Sequence, residues 1–202
     1  KNIYAYADIP FAQKKEILKR IISCLKQIHA LESVPADADS YLEAYIGKTY
    51  SRLEKVRNLV PFANDETVMI NGRRCRNIFF VKELLQEKIM RYMPQTFVLL
   101  HGDCTFSNIL LKQDQTPVLI DPRGYFGSTE LYGDPAYDWV KLYYSIAGNY
   151  DQFNLKRFDL TICPREVLLQ TESNHWEEME QTFFKLLQGE AGKEQMHLLH
   201  AV

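Results

Sequence analysis

The chain has 202 residues, enough for one substantial domain or one large lobe with its own hydrophobic core. Its 24 Lys and Arg residues are balanced by 26 Asp and Glu residues, and this net charge of −2 argues against a nucleic-acid-binding protein that relies on a general basic field. We find no apolar run long enough to span a membrane and no signal-peptide pattern, so we expect no membrane partner. The four scattered cysteines match no zinc-site spacing, which favours free thiols in a reducing cytoplasm.

The two ends of the sequence indicate a longer parent protein. The chain begins with Lys1 rather than methionine, and it stops within an apolar helical pattern at residues 196–202. We therefore expect residues 1–202 to be a segment cut at both ends. The alternative is a processed start and a frayed final helix.

Helical patterns dominate the first half of the chain. Apolar residues recur at spacings of three and four over residues 13–31 and again over residues 39–60, which predicts two amphipathic helices. Asp39 or Ser40 is the expected cap of the second helix. Residues 78–92 repeat the helical pattern before a proline.

Short strands are predicted in the middle of the chain. Asn71-Gly72 is a favoured two-residue turn and predicts a hairpin. Residues 97–100 form an apolar run typical of a buried strand. Residues 108–111 and 118–120 predict two further strands joined by a polar loop.

Helices return in the last third of the chain. Asp134 followed by proline predicts a helix through about residue 146, with the carboxylate as its cap. Residues 174–188 predict another helix, and Asn174 with Glu177 resembles a capping box. The order of elements predicts an α+β fold in which the small β element holds loops rather than forming the core.

The loops of this β element contain a set of residues suited to phosphoryl transfer. Asp103 follows the first strand, Asn108 comes five positions later, and Asp121 comes thirteen positions after Asn108 at the end of another strand. Transfer from ATP needs a carboxylate base for the acceptor hydroxyl, and Mg²⁺ prefers carboxylate and amide oxygens. Asp103 therefore suits the base, while Asn108 and Asp121 suit the metal and nucleotide ligands.

The pattern His101-Gly102-Asp103, followed by Asn108, resembles the catalytic loop of the aminoglycoside phosphotransferase and choline kinase families. Residues 133–139, Gly-Asp-Pro-Ala-Tyr-Asp-Trp, are similar to a G-D-P-x-x-D segment of those families, and His29 gives a weaker similarity. This resemblance covers roughly residues 13–150. It implies the C-terminal lobe of a protein-kinase-like fold, which transfers the γ-phosphate of ATP or another NTP, with Mg²⁺, to a hydroxyl of a sugar, amino sugar or amino alcohol.

The resemblance also implies two supporting residues. His101 is expected to brace the loop rather than to act as a base. Asp138 is expected to hydrogen-bond the loop backbone, although a carboxylate in the first turn of a helix is also favoured by the helix dipole alone.

One segment departs from the family pattern. Asp121-Pro122-Arg123-Gly124 differs from the I-D-W/F-E form of aminoglycoside kinases. Arg123 suits either a contact to phosphate or an anionic substrate, or a structural ion pair. The departure leaves the substrate open.

The nucleotide-gripping part of such a kinase is not recognisable in the sequence. No G-x-G-x-x-G loop occurs, and no strand with a phosphate-binding lysine precedes the first helix. We expect the N-lobe to lie elsewhere in the same polypeptide, and we expect the isolated segment to fold but to bind ATP weakly.

Two other functions compete with a small-molecule kinase. A pseudokinase-like binding module would have no chemical need for Asp103, Asn108 and Asp121 together. A protein kinase would carry arginine where Gly102 stands and an A-P-E segment after the metal aspartate.

Overall fold

A computed structural model describes residues 1–202. Helices and short sheets alternate along the chain, which confirms the α+β class. The helices are α1 Phe11–His29, α2 Ala38–Leu42, α3 Lys48–Val56, α4 Lys82–Met90, α5 Pro135–Ile146, α6 Tyr150–Asn154, α7 Glu180–Leu186 and α8 Lys193–His200. No helix combines the length and the apolar character needed to cross a bilayer.

The strands form four small sheets. Their orders are β1-β4-β9, β10-β11-β2-β3, β5-β6 and β7-β8. The strands are β1 Ser33–Pro35, β2 Thr67–Ile70, β3 Arg73–Arg76, β4 Thr96–Leu99, β5 Ile109–Leu111, β6 Pro117–Leu119, β7 Tyr125–Phe126, β8 Thr129–Glu130, β9 Tyr132–Gly133, β10 Phe158–Ile162 and β11 Val167–Thr171.

The first predicted helix is confirmed, with each end two residues earlier than predicted. Its apolar stripe is fully buried because residues three and four apart lie on the same helix face. Ile17, Leu18, Ile21 and Leu25 form this stripe. The helix packs against β4, β6 and α7, so it supports the sheets that carry the candidate site.

The second predicted helix is interrupted. A π-helical turn, Glu43–Gly47, lies between α2 and α3. The predicted cap at Asp39 or Ser40 was wrong: Asp37 is the cap, and its carboxylate accepts a hydrogen bond from the Ser40 backbone N–H at 2.6 Å. A π turn inserts an extra residue, so it changes which side chains face inward on the helix that follows.

The predicted capping box at the start of the helix near residue 174 was also wrong. The backbone N–H of Asn174 is already bonded to the side-chain oxygen of Asn149 at 3.0 Å. Glu177 instead accepts hydrogen bonds from Asn149 and Ser173. The reciprocal bonds of a capping box therefore do not form, and α7 begins only at Glu180.

The hydrophobic core centres on α5, which packs against β4, α6 and α8. Trp139, Leu142 and Ile146 on this helix are fully buried. The helix begins at Pro135 as predicted, and Asp134 caps it by accepting from the Ala136 N–H at 2.9 Å. The start of α5 is therefore held firmly by its cap and its buried side chains, and the candidate site lies next to it.

Candidate active site

The loop after β4 is held by the buried carboxylate of Asp138 on α5. Its Oδ2 accepts a hydrogen bond from the backbone N–H of His101 at 2.9 Å, and its Oδ1 accepts from the N–H of Gly102 at 2.6 Å. The loop then continues to Phe106, whose N–H donates to the Ser145 hydroxyl, also on α5, at 2.9 Å. The supporting role expected of Asp138 thus matches its contacts, and these contacts go beyond an interaction with the helix dipole.

His101 links two loops through both of its ring nitrogens. Nε2 lies 2.9 Å from the backbone oxygen of Ile120, and the backbone N–H of Asp103 lies 3.3 Å from Nδ1. A neutral imidazole with its proton on Nε2 satisfies both contacts. This geometry agrees with the bracing role and leaves neither nitrogen for proton transfer.

Asp103 and Asn108 are in direct contact. The side-chain Nδ2 of Asn108 donates to the backbone oxygen of Asp103 at 2.8 Å and lies 3.2 Å from its Oδ2. The amide oxygen of Asn108 makes no hydrogen bond within the protein. The contact holds the Asp103 carboxylate, which is 31% exposed, towards solvent and keeps an amide oxygen free beside it.

Asp121 lies in the neighbouring loop, in a strained backbone conformation. Its φ is +53°, a left-handed value that an aspartate tolerates better than most side chains. The backbone on either side is hydrogen-bonded to the loop after β4: the Ile120 N–H donates to the backbone oxygen of Asn108 at 3.0 Å, and the Arg123 N–H donates to the backbone oxygen of His101 at 2.7 Å. The Asp121 side chain is exposed and makes no hydrogen bond or ion pair, so it is free to bind a ligand.

Arg123 approaches the other oxygen of the Asp103 carboxylate. Its Nη2 lies 3.9 Å from Oδ1, and its Nη1 donates to the Tyr137 hydroxyl at 3.1 Å. The distance to Asp103 is that of a loose ion pair rather than a bidentate one. Arg123 therefore contacts the protein and is also partly accessible. Its position fits both predicted roles, the contact to phosphate or an anionic substrate and the structural ion pair.

Comparison with protein-family models matches residues 3–179 to the phosphotransferase enzyme family, APH. The chain belongs to this family. The match contains every site residue named above and implies phosphotransferase activity in general. Searches of curated proteins and of solved structures gave no match.

The residues present fit the magnesium ion that kinases of this family generally use. Asn108 and Asp121 offer an amide oxygen and a carboxylate without protein partners, which is the ligand set that Mg²⁺ takes when it also binds nucleotide phosphates and water. No group of three or more His, Cys, Asp or Glu side chains lies close enough to hold a metal ion by itself. The donor set therefore suits a metal that arrives with its nucleotide.

One further residue, His29, belongs to the candidate site although the sequence gives it little weight. His29, at the end of α1, lies with its Nε2 3.0 Å from Oδ2 of Asp138, and its ring packs edge-on against Trp139. It is the third group bonded to the buried Asp138 carboxylate. The signal in the sequence was the weak resemblance of Ile28-His29, near the end of the first helix, to the aminoglycoside and choline kinase families.

Proposed function

We propose that this chain transfers the γ-phosphate of ATP, or of another NTP, to a hydroxyl of a small polar molecule such as a sugar, an amino sugar or an amino alcohol. The observation that carries the proposal is the arrangement around Asp103. Its carboxylate is partly exposed, one of its oxygens contacts Asn108 and the other faces Arg123. A base placed in this way is open to an incoming hydroxyl and has the amide of Asn108, a candidate metal ligand, beside it.

In the proposed reaction, Asp103 accepts the proton of the acceptor hydroxyl as that oxygen forms a bond to the γ-phosphorus. The bond from phosphorus to the bridging oxygen breaks, and the nucleoside diphosphate leaves with the electron pair. His101 and Asp138 hold the loop so that the Asp103 carboxylate is fixed before substrate arrives. Asn108 and Asp121 would hold Mg²⁺, which would neutralise the charge of the phosphates.

We also propose that residues 1–202 are the C-terminal lobe of the enzyme. The 202 residues contain the phosphotransferase-family match and the set Asp103, Asn108 and Asp121, but no G-x-G-x-x-G loop. The nucleotide is expected to be gripped by a further lobe of the same polypeptide. The functional experiments below therefore use the full-length protein.

The proposed partner is thus a small molecule rather than a nucleic acid or a membrane. The near-neutral charge of the chain supports this proposal because polyanion-binding domains are usually basic. All four cysteines are free thiols, which supports a cytoplasmic location.

The test is acceptor-dependent release of ADP. Full-length protein is incubated with Mg²⁺, ATP and a panel of polyols, sugars, amino sugars and amino alcohols, and each active acceptor is then assayed with Asp103→Asn. We expect turnover to fall by about 10³-fold with little change in ATP affinity, because general-base catalysis contributes on the order of 10²–10⁴-fold.

Asp39→Asn is the matched control, because Asp39 is an exposed carboxylate on α2 that makes no hydrogen bond. It should leave the rate unchanged. Near-normal turnover by Asp103→Asn would contradict the assignment of the base.

A further inference from the structure

Two adjoining cavities lie next to the candidate active site, between the second helical segment and α5. Each has a volume of about 200 Å³, which suits a small anionic group rather than a whole drug-sized ligand. Ala44, Lys48, Arg52 and Tyr137 line both of them. We call these two cavities together the basic cavity.

The wall of the basic cavity contains the π-helical turn Glu43–Gly47. Glu43 and Ala44 of that turn line the cavity, and Lys48 follows it directly. π-Helical turns are rare and often occur at functional sites, because the extra residue redirects the side chains that follow. The irregularity that breaks the second predicted helix therefore lies in the wall of this cavity.

The lining of the basic cavity is rich in unpaired positive charge. Lys48, Arg52 and Lys141 all line it, and none of them has a carboxylate within 4.0 Å. Glu43 is the one acidic side chain in the lining, and it is exposed. The excess of cations means that an anion entering the cavity would find opposite charges without displacing existing ion pairs.

Lys48 and Lys141 are partly buried, close to other cations, and Lys141 also lies near two aromatic rings. Nζ of Lys141 lies 5.2 Å from the Tyr137 ring and 5.0 Å from the Tyr144 ring. Burial, with the nearby charges of Arg123 and Lys141, lowers the pKa of Lys48 to about 8. Burial also lowers the pKa of Lys141 to about 8, although the Asp103 carboxylate opposes that change. A bound anion would relieve this repulsion between like charges.

Arg123 connects the basic cavity to Asp103. Its guanidinium lies 5.7 Å from the Tyr125 ring and bonds the Tyr137 hydroxyl, and both tyrosines line the cavity. It faces Oδ1 of Asp103, whereas the Asn108 amide faces Oδ2. Arg123 therefore links two tyrosines of the cavity wall to one oxygen of the proposed base, and the Asn108 amide lies beside the other oxygen.

We propose that the basic cavity binds the anionic group, a phosphate or a carboxylate, of the acceptor whose hydroxyl is phosphorylated. This inference rests on the proposed function and narrows the acceptor to a negatively charged hydroxy compound. Cationic amino alcohols and amino sugars are disfavoured, because their charge would add to that of Lys48, Arg52 and Lys141.

The test is protection of the two lysine amines from acylation, which requires no knowledge of the acceptor. Full-length protein is treated with an N-hydroxysuccinimide acetate reagent in about 50 mM inorganic phosphate, acetate, chloride or tetramethylammonium chloride at matched ionic strength. Mass spectrometry then gives the acylation rates at Lys48, at Lys141 and at Lys55, an exposed lysine on the same helix as Lys48.

We expect phosphate, acetate or both to slow acylation of Lys48 and Lys141 about fivefold relative to Lys55, because charge-assisted hydrogen bonds shield the amines. Protection by phosphate alone would assign a phosphate-bearing acceptor, and protection by acetate alone would assign a carboxylate. Arg52→Gln should weaken the protection. Equal rates in all four salts, or protection by tetramethylammonium, would overturn the proposal.

This readout is independent of turnover. Protection of the lysines together with full activity of Asp103→Asn would refute the proposed function but leave an anion site. Loss of activity in Asp103→Asn without protection would refute the anionic acceptor and leave the phosphotransferase assignment intact.

Discussion

Oδ1 of Asp138 accepts a hydrogen bond at 2.6 Å from the backbone N–H of Gly102, the residue that precedes the proposed base. The other oxygen of this carboxylate accepts from the His101 N–H and contacts His29. Asp138 is fully buried, and all the hydrogen-bonding partners of its carboxylate belong to α1 or to the loop after β4. Hydrogen bonds from the loop backbone to Asp138 on α5 therefore fix the position of Asp103.

Asp138→Asn should impair catalysis more than binding of the nucleotide. The amide that replaces one oxygen would place an N–H group opposite a backbone N–H, and the loop would shift to avoid that contact. We expect kcat to fall by on the order of 10²-fold with a much smaller change in the KM for ATP. Steady-state kinetics of the full-length variant measure both, with Asp39→Asn as the exposed control. A KM effect as large as the kcat effect would contradict a positioning role.

Gly102→Ala should destabilise the protein because both the backbone and the space around Gly102 oppose a side chain. Its φ is +77°, and an added Cβ would lie 3.0 Å from Cβ of Arg123 and 3.1 Å from its backbone oxygen. Gly189→Ala is the matched control, since Gly189 has a φ of +90° with no atom within 4 Å of the new carbon.

Both substitutions carry the backbone penalty of about 1 kcal/mol, and only Gly102→Ala adds the contact with Arg123. Urea unfolding should therefore give a larger loss in the free energy of unfolding for Gly102→Ala. Equal losses would show that the close approach of Arg123 has no energetic consequence.

The buried carboxyl of Asp134, which caps α5, should make the stability of the protein depend on pH. Burial raises the pKa of its carboxyl from 3.8 to about 6, even though Ala136 and Tyr45 donate hydrogen bonds to it. The folded state therefore binds the proton more tightly than the unfolded state, and this group's contribution to stability falls as the pH rises from about 4 to about 6.

Asp134→Asn should remove that pH dependence and keep the cap, because asparagine is an equally good cap residue. Asp134→Ala should cost about 1–2 kcal/mol by losing the cap and leaving the Tyr45 hydroxyl unpaired. Unfolding free energies measured between about pH 4 and pH 7 test both statements. An unchanged pH slope in Asp134→Asn would contradict the raised pKa.

Binding of inorganic sulfate, a phosphate mimic whose charge does not change over this pH range, to the basic cavity should weaken in alkaline solution. Lys48 and Lys141 lose their charges as the pH rises through about 8, while Arg52 stays protonated. We expect the Kd measured by calorimetry to rise by roughly tenfold between about pH 7 and pH 9. Lys48→Gln combined with Lys141→Gln should bind more weakly at neutral pH and show a flatter profile. A flat profile in the unmodified protein would contradict a role for the two lysines.

The sequence predicted what depends on local chemistry. The helical spacing of α1, the cap and proline at the start of α5 and the turn at Asn71-Gly72 were all confirmed, because each is decided within a few residues. The capping box at Asn174 failed because a distant side chain, Asn149, had already taken the backbone N–H.

The features that the sequence did not predict depend on long-range contacts. Strands β10 and β11 extend the predicted hairpin into a four-stranded sheet, and β11 meets β2 through a pairing between Val167 and Ile70. The basic cavity joins Lys48 and Lys141, which lie on separate helices. No spacing in one sequence indicates that such residues converge.

The most direct test of the central claim is to locate the metal. Full-length protein, isotope-labelled for NMR, is titrated with Mn²⁺ and a non-hydrolysable ATP analogue, with Mg²⁺ as the diamagnetic reference. The account predicts that Mn²⁺ broadens the amide signals of residues 102–109 and 120–123 before those of exposed residues on α3 such as Lys55. Signals near Asn108 and Asp121 that stay sharp while others broaden, or that broaden no earlier than Lys55, would contradict the claim that these two residues hold the metal beside Asp103.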